Sequence, residues 1–157
     1  MHKITPFLWF DSQAESAAQF YISLFDHSKM VSVSRYPDSA PNGGQAMSVA
    51  FELDGQPIMA LNGGPLFKFT EAISFLVSCE TQIEVDTLWG QLTADGGEEG
   101  RCGWLKDKFG LSWQIVPQAL GELLGHPDPA AAKRVLDAML QMNKIDSDVL
   151  RQAAENI

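Results

Sequence analysis

Histidine, cysteine and positive charge are all scarce in this chain. Three histidines and two cysteines occur among 157 residues. His2, His27 and His126 show no H-x-H or HxxxH spacing, so they read as surface residues rather than metal ligands. Cys79 and Cys102 match neither a disulfide framework nor a paired CxxC metal site, and both are expected as reduced thiols. Lys and Arg number 11 against 20 Asp and Glu, a net charge of −9. Such a field repels polyanions, which excludes nucleic acid as the expected partner. Long apolar runs are missing too. Pro6 to Phe10 and Ile73 to Val77 fall far short of the roughly 20 residues a membrane helix needs, so no membrane partner is expected. The opening Met1-His2-Lys3-Ile4-Thr5-Pro6 meets a strand-like run at once, without an apolar signal core, and a cytoplasmic location is expected.

What is present suits a globular α+β chain: 45% hydrophobic and 20% charged residues, enough to bury a core. Ile4 to Phe10 is an apolar and aromatic run too short for a helix, and reads as a buried strand. Ser12 and Glu15 then match a capping box, followed by Ala14, Ala17, Ala18, Tyr21, Leu24 and Phe25 at helical spacing. Met30 to Tyr36 and Ala46 to Leu53 alternate as strands, and Asp54-Gly55 turns the chain into a strand from Pro57 to Leu61. After Asn62-Gly63-Gly64-Pro65 the same order returns. Ile73 to Cys79 is a strand, Thr81 to Glu84 a second capping box, and Ile83, Val85, Leu88, Trp89 and Leu92 trace a helix stopped by Gly96-Gly97. Glu98 to Cys102, Trp104 to Lys108 and Leu111 to Val116 complete the set, the last two joined at Phe109-Gly110. The repeated βαβββ order argues for internal duplication: residues 1–117 form one domain of two modules, about 1–64 and 70–117. A helical tail, 118–157, begins near Gln118 to Leu124 and continues through a helix with Asp128 as N-cap and Pro129 at its first turn.

This order resembles the vicinal oxygen chelate superfamily, the paired βαβββ fold of glyoxalase I, extradiol dioxygenases and bleomycin-resistance proteins. Within it, Asn62-Gly63-Gly64-Pro65, the stretch from Cys102-Gly103-Trp104 to Ile115-Val116-Pro117, and the tail segment Ala138 to Asp146 resemble the PhnB-like subgroup, often labelled 3-demethylubiquinone-9 3-methyltransferase. The resemblance implies mixed, curled sheets around a cavity. It also implies a divalent metal near the inner strands, at places that fall on Ile4, Ala60, Ser74 and Gln114. Only Gln114 is a plausible ligand there, so no metal and no other cofactor is expected. No G-x-G-x-x-G helix start supports a methyl-donor site. The module's strand order keeps Cys79 and Cys102 too far apart for a disulfide.

By strand parity, Leu8, Ile58, Asn62, Ser74, Leu76, Ser112 and Gln114 are expected to line the cavity, joined by Trp104; Pro6 shares their parity. Phe7, Trp9, Met59, Phe75, Val77, Trp113 and Ile115 are expected to face the helices, and Trp89 to be core. Such a bowl, apolar with a few uncharged hydrogen-bonding groups, suits a neutral or aromatic small molecule. Lys106, Asp107 and Lys108 flank a glycine turn and read as solvated. The acidic set Glu80, Glu84, Asp86, Asp95, Glu98 and Glu99 reads as the solvated face of the second helix and its exit. Cys102 sits beside Arg101, whose charge favours a thiolate, yet no histidine is near it in sequence, and a buried thiol is expected. The leading reading is a metal-free, small-molecule-binding homodimer, with Met139, Leu140, Met142 and Ile145 as its contact. The alternatives are an enzyme, either the labelled methyltransferase or a metal-dependent lyase or isomerase, and a structural dimer with a filled cavity.

Overall fold

Two sheets of four strands form in the computed structural model, which describes residues 2–155. The first lies in the unit Met1–Phe69 and the second in the unit Thr70–Ile157. In the first unit β1 (Phe7–Phe10) pairs in parallel with β4 (Gln56–Asn62), and β3 (Ala46–Leu53) and β2 (Lys29–Arg35) follow antiparallel. β1 is shorter than its apolar run. Ile4 lies ahead of it and is 85% exposed. Register fixes the faces: Leu8 is opposite Ala60, Ala60 opposite Val49, and Phe51 opposite Ile58. All five are buried beneath α1 (Ala14–Leu24), which contributes Ala14, Ala17, Ala18 and Tyr21 to that core.

α1 does not start as the capping-box pattern implies. Gln13 occupies the N-cap with no side-chain bond. The orphan amide of Ala14 is instead satisfied from a distance, donating to Asn62 Oδ1 at 2.8 Å while Asn62 Nδ2 donates to the Ala46 carbonyl at 2.9 Å. Glu15 turns away to a bidentate pair with Arg35 of β2, at 2.9 and 3.1 Å. A capping box therefore competes here with long-range partners and loses to them.

The second unit repeats the plan. β5 (Ser74–Cys79) runs parallel to β8 (Ser112–Pro117), with β7 (Trp104–Lys106) and β6 (Glu98–Glu99) antiparallel beyond it. Its helix α2 (Gln82–Thr93) begins as expected, with the Glu84 amide donating to Thr81 Oγ1 at 3.2 Å. Phe75, Val77, Leu105, Trp113 and Ile115 share the face packed toward Val85, Leu88 and Leu92, and Phe75 meets Trp113 edge-on at 5.3 Å. Asp107 departs from its expected solvation. It is 2% exposed and accepts hydrogen bonds from the amides of Phe109 and Leu111 and from the Trp113 indole.

The tail belongs to this second unit. α3 (Gln118–Leu124), α4 (Pro129–Met139) and α5 (Ser147–Glu155) enclose Leu120, Val135, Ile145 and Leu150, with Met139 and Met142 packed against them. Ile145, Met139 and Met142 thus serve the tail's own core; Leu140 alone of the proposed contact residues stays largely exposed. Hydrogen bonds tie the tail to α2 and to the turn before β7. Gln82 donates to the Ile145 carbonyl and accepts from the Ser147 amide. The amides of Cys102 and Gly103, both at positive φ, donate to the carbonyls of Met142 and Asn143 at 2.9 and 2.8 Å. Among the described residues no helix is long and apolar enough to cross a membrane.

Candidate functional site

In the second unit, the sheet face opposite α2 meets the tail's core at Val116 and, among the described residues, lies open toward Ser112 and Ser74. Cross-strand register sets out two rows on it. Glu98, Lys106, Ser112 and Ser74 lie side by side across all four strands, and Trp104, Gln114 and Leu76 form the next row. The first row is polar because its strands are short or end there, which lets charged groups reach water. The second is largely apolar, and Leu76 is 58% exposed. An open depression of about 500 Å³ occupies the end of this face, with Glu71, Glu98, Arg101, Trp104, Lys106 and Ser112 among its lining residues.

Within it, Glu71 pairs with Lys106 Nζ. The hydrogen bond and charge of Glu71 raise the Lys106 pKa, with a smaller contribution from Glu98, and Lys106 in turn holds the Glu71 carboxyl below its usual range. Glu99 points the other way, taking a hydrogen bond from the Trp89 indole at 2.6 Å. Gln114 Nε2 donates to Ser74 Oγ at 2.9 Å. Ser112 is 1% exposed, and its Oγ has no hydrogen-bond partner among the described residues.

Five of the eight proposed lining residues, Ser74, Leu76, Trp104, Ser112 and Gln114, therefore meet on this one face. The other three differ from expectation. Leu8, Ile58 and Asn62 lie on the buried face of the first sheet, under α1. That sheet's other face carries Phe7, Trp9, Met59 and Leu61 instead, side chains expected toward the helix or not assigned, and Trp9 there packs edge-on against Phe67. The cause is register. Leu8 and Phe10 precede Ser12 at the spacing by which Val77 and Cys79 precede Thr81, and in both units these residues turn to the helix side. Setting Ile4 against Ser74 slips the first unit by one residue, which moves every side chain to the other face. Glu71, Glu98, Arg101 and Lys106 were missed as lining residues; the period of 2 from Trp104 to Lys106 already places Lys106 beside the indole.

The four family metal places do not assemble a donor set. Ile4 precedes β1, Ala60 is core, and Ser74 and Gln114 bond each other. No three His, Cys, Asp or Glu residues come together among the described residues. These side chains do not fit a divalent metal, which needs several anionic or imidazole ligands. Neither strand-to-helix turn contains glycine, so a dinucleotide-type cradle is not formed there. Of the thiols, burial pushes Cys79 up to about 12, with Glu84 adding to the shift, while Cys102 is half-buried; both are unbonded.

Comparison with known proteins places this geometry. The family model described as 3-demethylubiquinone-9 3-methyltransferase matches residues 2–116. A Bacillus cereus PhnB protein bearing the same methyltransferase label is 40% identical, over 74% of this chain and 99% of its own, with a TM-score of 0.69. A Pseudomonas aeruginosa protein at 17% identity covers 74% of this chain and 98% of its own, with a TM-score of 0.63, and shares the fold. A fosfomycin resistance protein of Listeria monocytogenes, solved with Mn(II) and a dihydroxypropylphosphonic acid, matches at 15% identity over 74% and 90% with a TM-score of 0.50. No protein of curated function matches the chain.

Proposed function

Since the chain belongs to the 3-demethylubiquinone-9 3-methyltransferase family, with the glyoxalase-type fold of paired βαβββ units, we propose that it binds a small neutral or aromatic molecule without a metal, as a homodimer. One observation carries the ligand reading. The uncovered face of the second sheet presents Leu76 and Trp104 around the uncharged Gln114 and Ser74 pair, and an apolar sheet face left in water is costly unless something covers it. An uncharged amide and hydroxyl orient a ligand without demanding charge from it. For the dimer, Leu136 of α4 and Leu140 at its C-cap support the reading, standing exposed four residues apart.

The family label favours a second reading, methyl transfer. Native mass spectrometry of protein purified from its own host distinguishes the two. An adduct of a few hundred daltons that survives chelation supports binding. Loss of that adduct on chelation, or transfer of a labelled methyl group from S-adenosylmethionine to a quinol acceptor, overturns it.

A further inference from the structure

The polar row across the second sheet leaves one group out. Lys106 is held by Glu71 and attracted by Glu98, and Ser74 Oγ accepts from Gln114. Between Lys106 and Ser74 lies Ser112, whose hydroxyl is buried and unpartnered. A buried hydroxyl without a partner is a liability that alanine would remove at no loss of packing, and native interiors rarely keep one without a use. Ser112 is not deep in the core. It lines the depression together with Trp104 and Arg101.

The charges around that depression indicate which ligand fits. Glu71 and Glu98 on its walls are matched in number by Lys106 and Arg101, while Glu99 is turned to the Trp89 indole. An anion meets no excess of positive charge, and the Lys106 ammonium that would attract it is already paired. A cation meets no excess of negative charge either, because Glu71 is engaged by Lys106 and Arg101 offsets Glu98. The uncharged groups on offer are one unpartnered hydroxyl and the indole surface of Trp104. We propose that the depression takes an uncharged planar ring bearing a hydroxyl or amide, which hydrogen-bonds Ser112 Oγ while the ring packs on Trp104. This rests on the reading of the uncovered face as a ligand site, and adds the atom that reads the ligand.

Four probes test it by ¹H–¹⁵N NMR titration of the intact chain: phenol, toluene, benzoate and benzylammonium. Phenol is expected to bind tightest, shifting the Trp104 and Ser112 resonances. Ser112→Ala is expected to weaken phenol about tenfold, to the level of toluene, the change produced by losing one hydrogen bond worth roughly 1.4 kcal/mol. Toluene binding should not change, and the melting temperature of Ser112→Ala should equal or exceed that of the parent chain. Undiminished phenol binding in Ser112→Ala, with shifts still at Trp104 and Leu76, overturns the hydroxyl's role and spares the face. Absence of any shift on this face for all four probes overturns both readings. Preference for benzoate or benzylammonium overturns the neutral class. A lowered melting temperature in Ser112→Ala shows an internal partner for the hydroxyl, and overturns the proposal too.

Discussion

The Asp107 carboxylate and the Trp113 indole, six residues apart, meet inside the second unit at 2.9 Å. The other carboxylate oxygen takes the amides of Phe109 and Leu111 at 2.8 and 3.1 Å, so one side chain both closes the glycine turn and anchors the largest core residue of β8. Asp107→Ala leaves these buried donors unmatched and is expected to cost about 2–4 kcal/mol, more than a single lost bond. Asp107→Asn should also destabilise, since its amide turned toward Trp113 sets donor against donor. Urea unfolding followed by tryptophan fluorescence measures both. A loss under about 0.5 kcal/mol in Asp107→Ala, the range of an ordinary surface change, contradicts the anchoring role.

Cys79 sets an alkaline limit. Its thiol ionises near 9.0 when free and near 12 in the fold, because burial disfavours the thiolate and Glu84 repels it. The folded value is the higher one, so this contribution to stability is fully present below about pH 9 and is lost as pH rises toward 12. Unfolding free energy should fall more steeply between pH 9 and 11 in the parent chain than in Cys79→Ala. Parallel curves for the two would remove Cys79 as the cause.

Gly103 permits the tail's approach. Its φ is +85°, and an added Cβ would lie 2.8 Å from Ile145 Cδ1 and 2.9 Å from the Ile115 carbonyl oxygen. Gly103→Ala is expected to cost at least about 2 kcal/mol, combining left-handed backbone strain with overpacking. Gly110→Ala supplies the control, with φ +90° and open space around its Cβ, and should show the backbone part alone, about 1 kcal/mol. Equal losses in the two variants would mean that the contact with Ile145 carries no weight.

Sedimentation at micromolar concentration should give a mass about twice 17.2 kDa. Leu136→Lys with Leu140→Lys, both exposed, should shift it to the single-chain value while leaving the melting of the monomer intact. A parent chain that sediments at 17.2 kDa across that range ends the dimer reading.

The order of elements was legible because each signal is local. Buried strands are short apolar runs, and Thr81 and Asp128 act as N-caps as their neighbours imply. The face of β1 and β4 was misread by one residue of register, although Leu8 and Phe10 stand before Ser12 as Val77 and Cys79 stand before Thr81 and both pairs face their helix. The bond from the Ala14 amide to Asn62 at the far end of β4 was not legible, because a capping pattern carries no long-range partner. Asp107 was misplaced for a related reason. Flanked by Lys106 and Lys108 it looks solvated, yet Asp-x-x-Gly before a strand is also the pattern of a side chain turned in to bind its own turn. In the candidate site, parity was enough for Ser74, Leu76, Ser112 and Gln114, whereas Glu71 joins them only through its ion pair with Lys106.

The bonds from Cys102 and Gly103 to Met142 and Asn143 have a consequence for how the chain comes apart. The family match stops at residue 116, which invites the view that everything after it is an appendage. A dispensable appendage could peel away and leave the sheet whole. Here release of the segment after α4 strips two amides of their acceptors at the very turn that leads into Trp104, and uncovers Gly103 where Ile145 had closed over it. The last helices are therefore expected to latch the second sheet, they and the Trp104 strand opening together, and trimming the chain to the matched length is expected to loosen the wall of the depression itself.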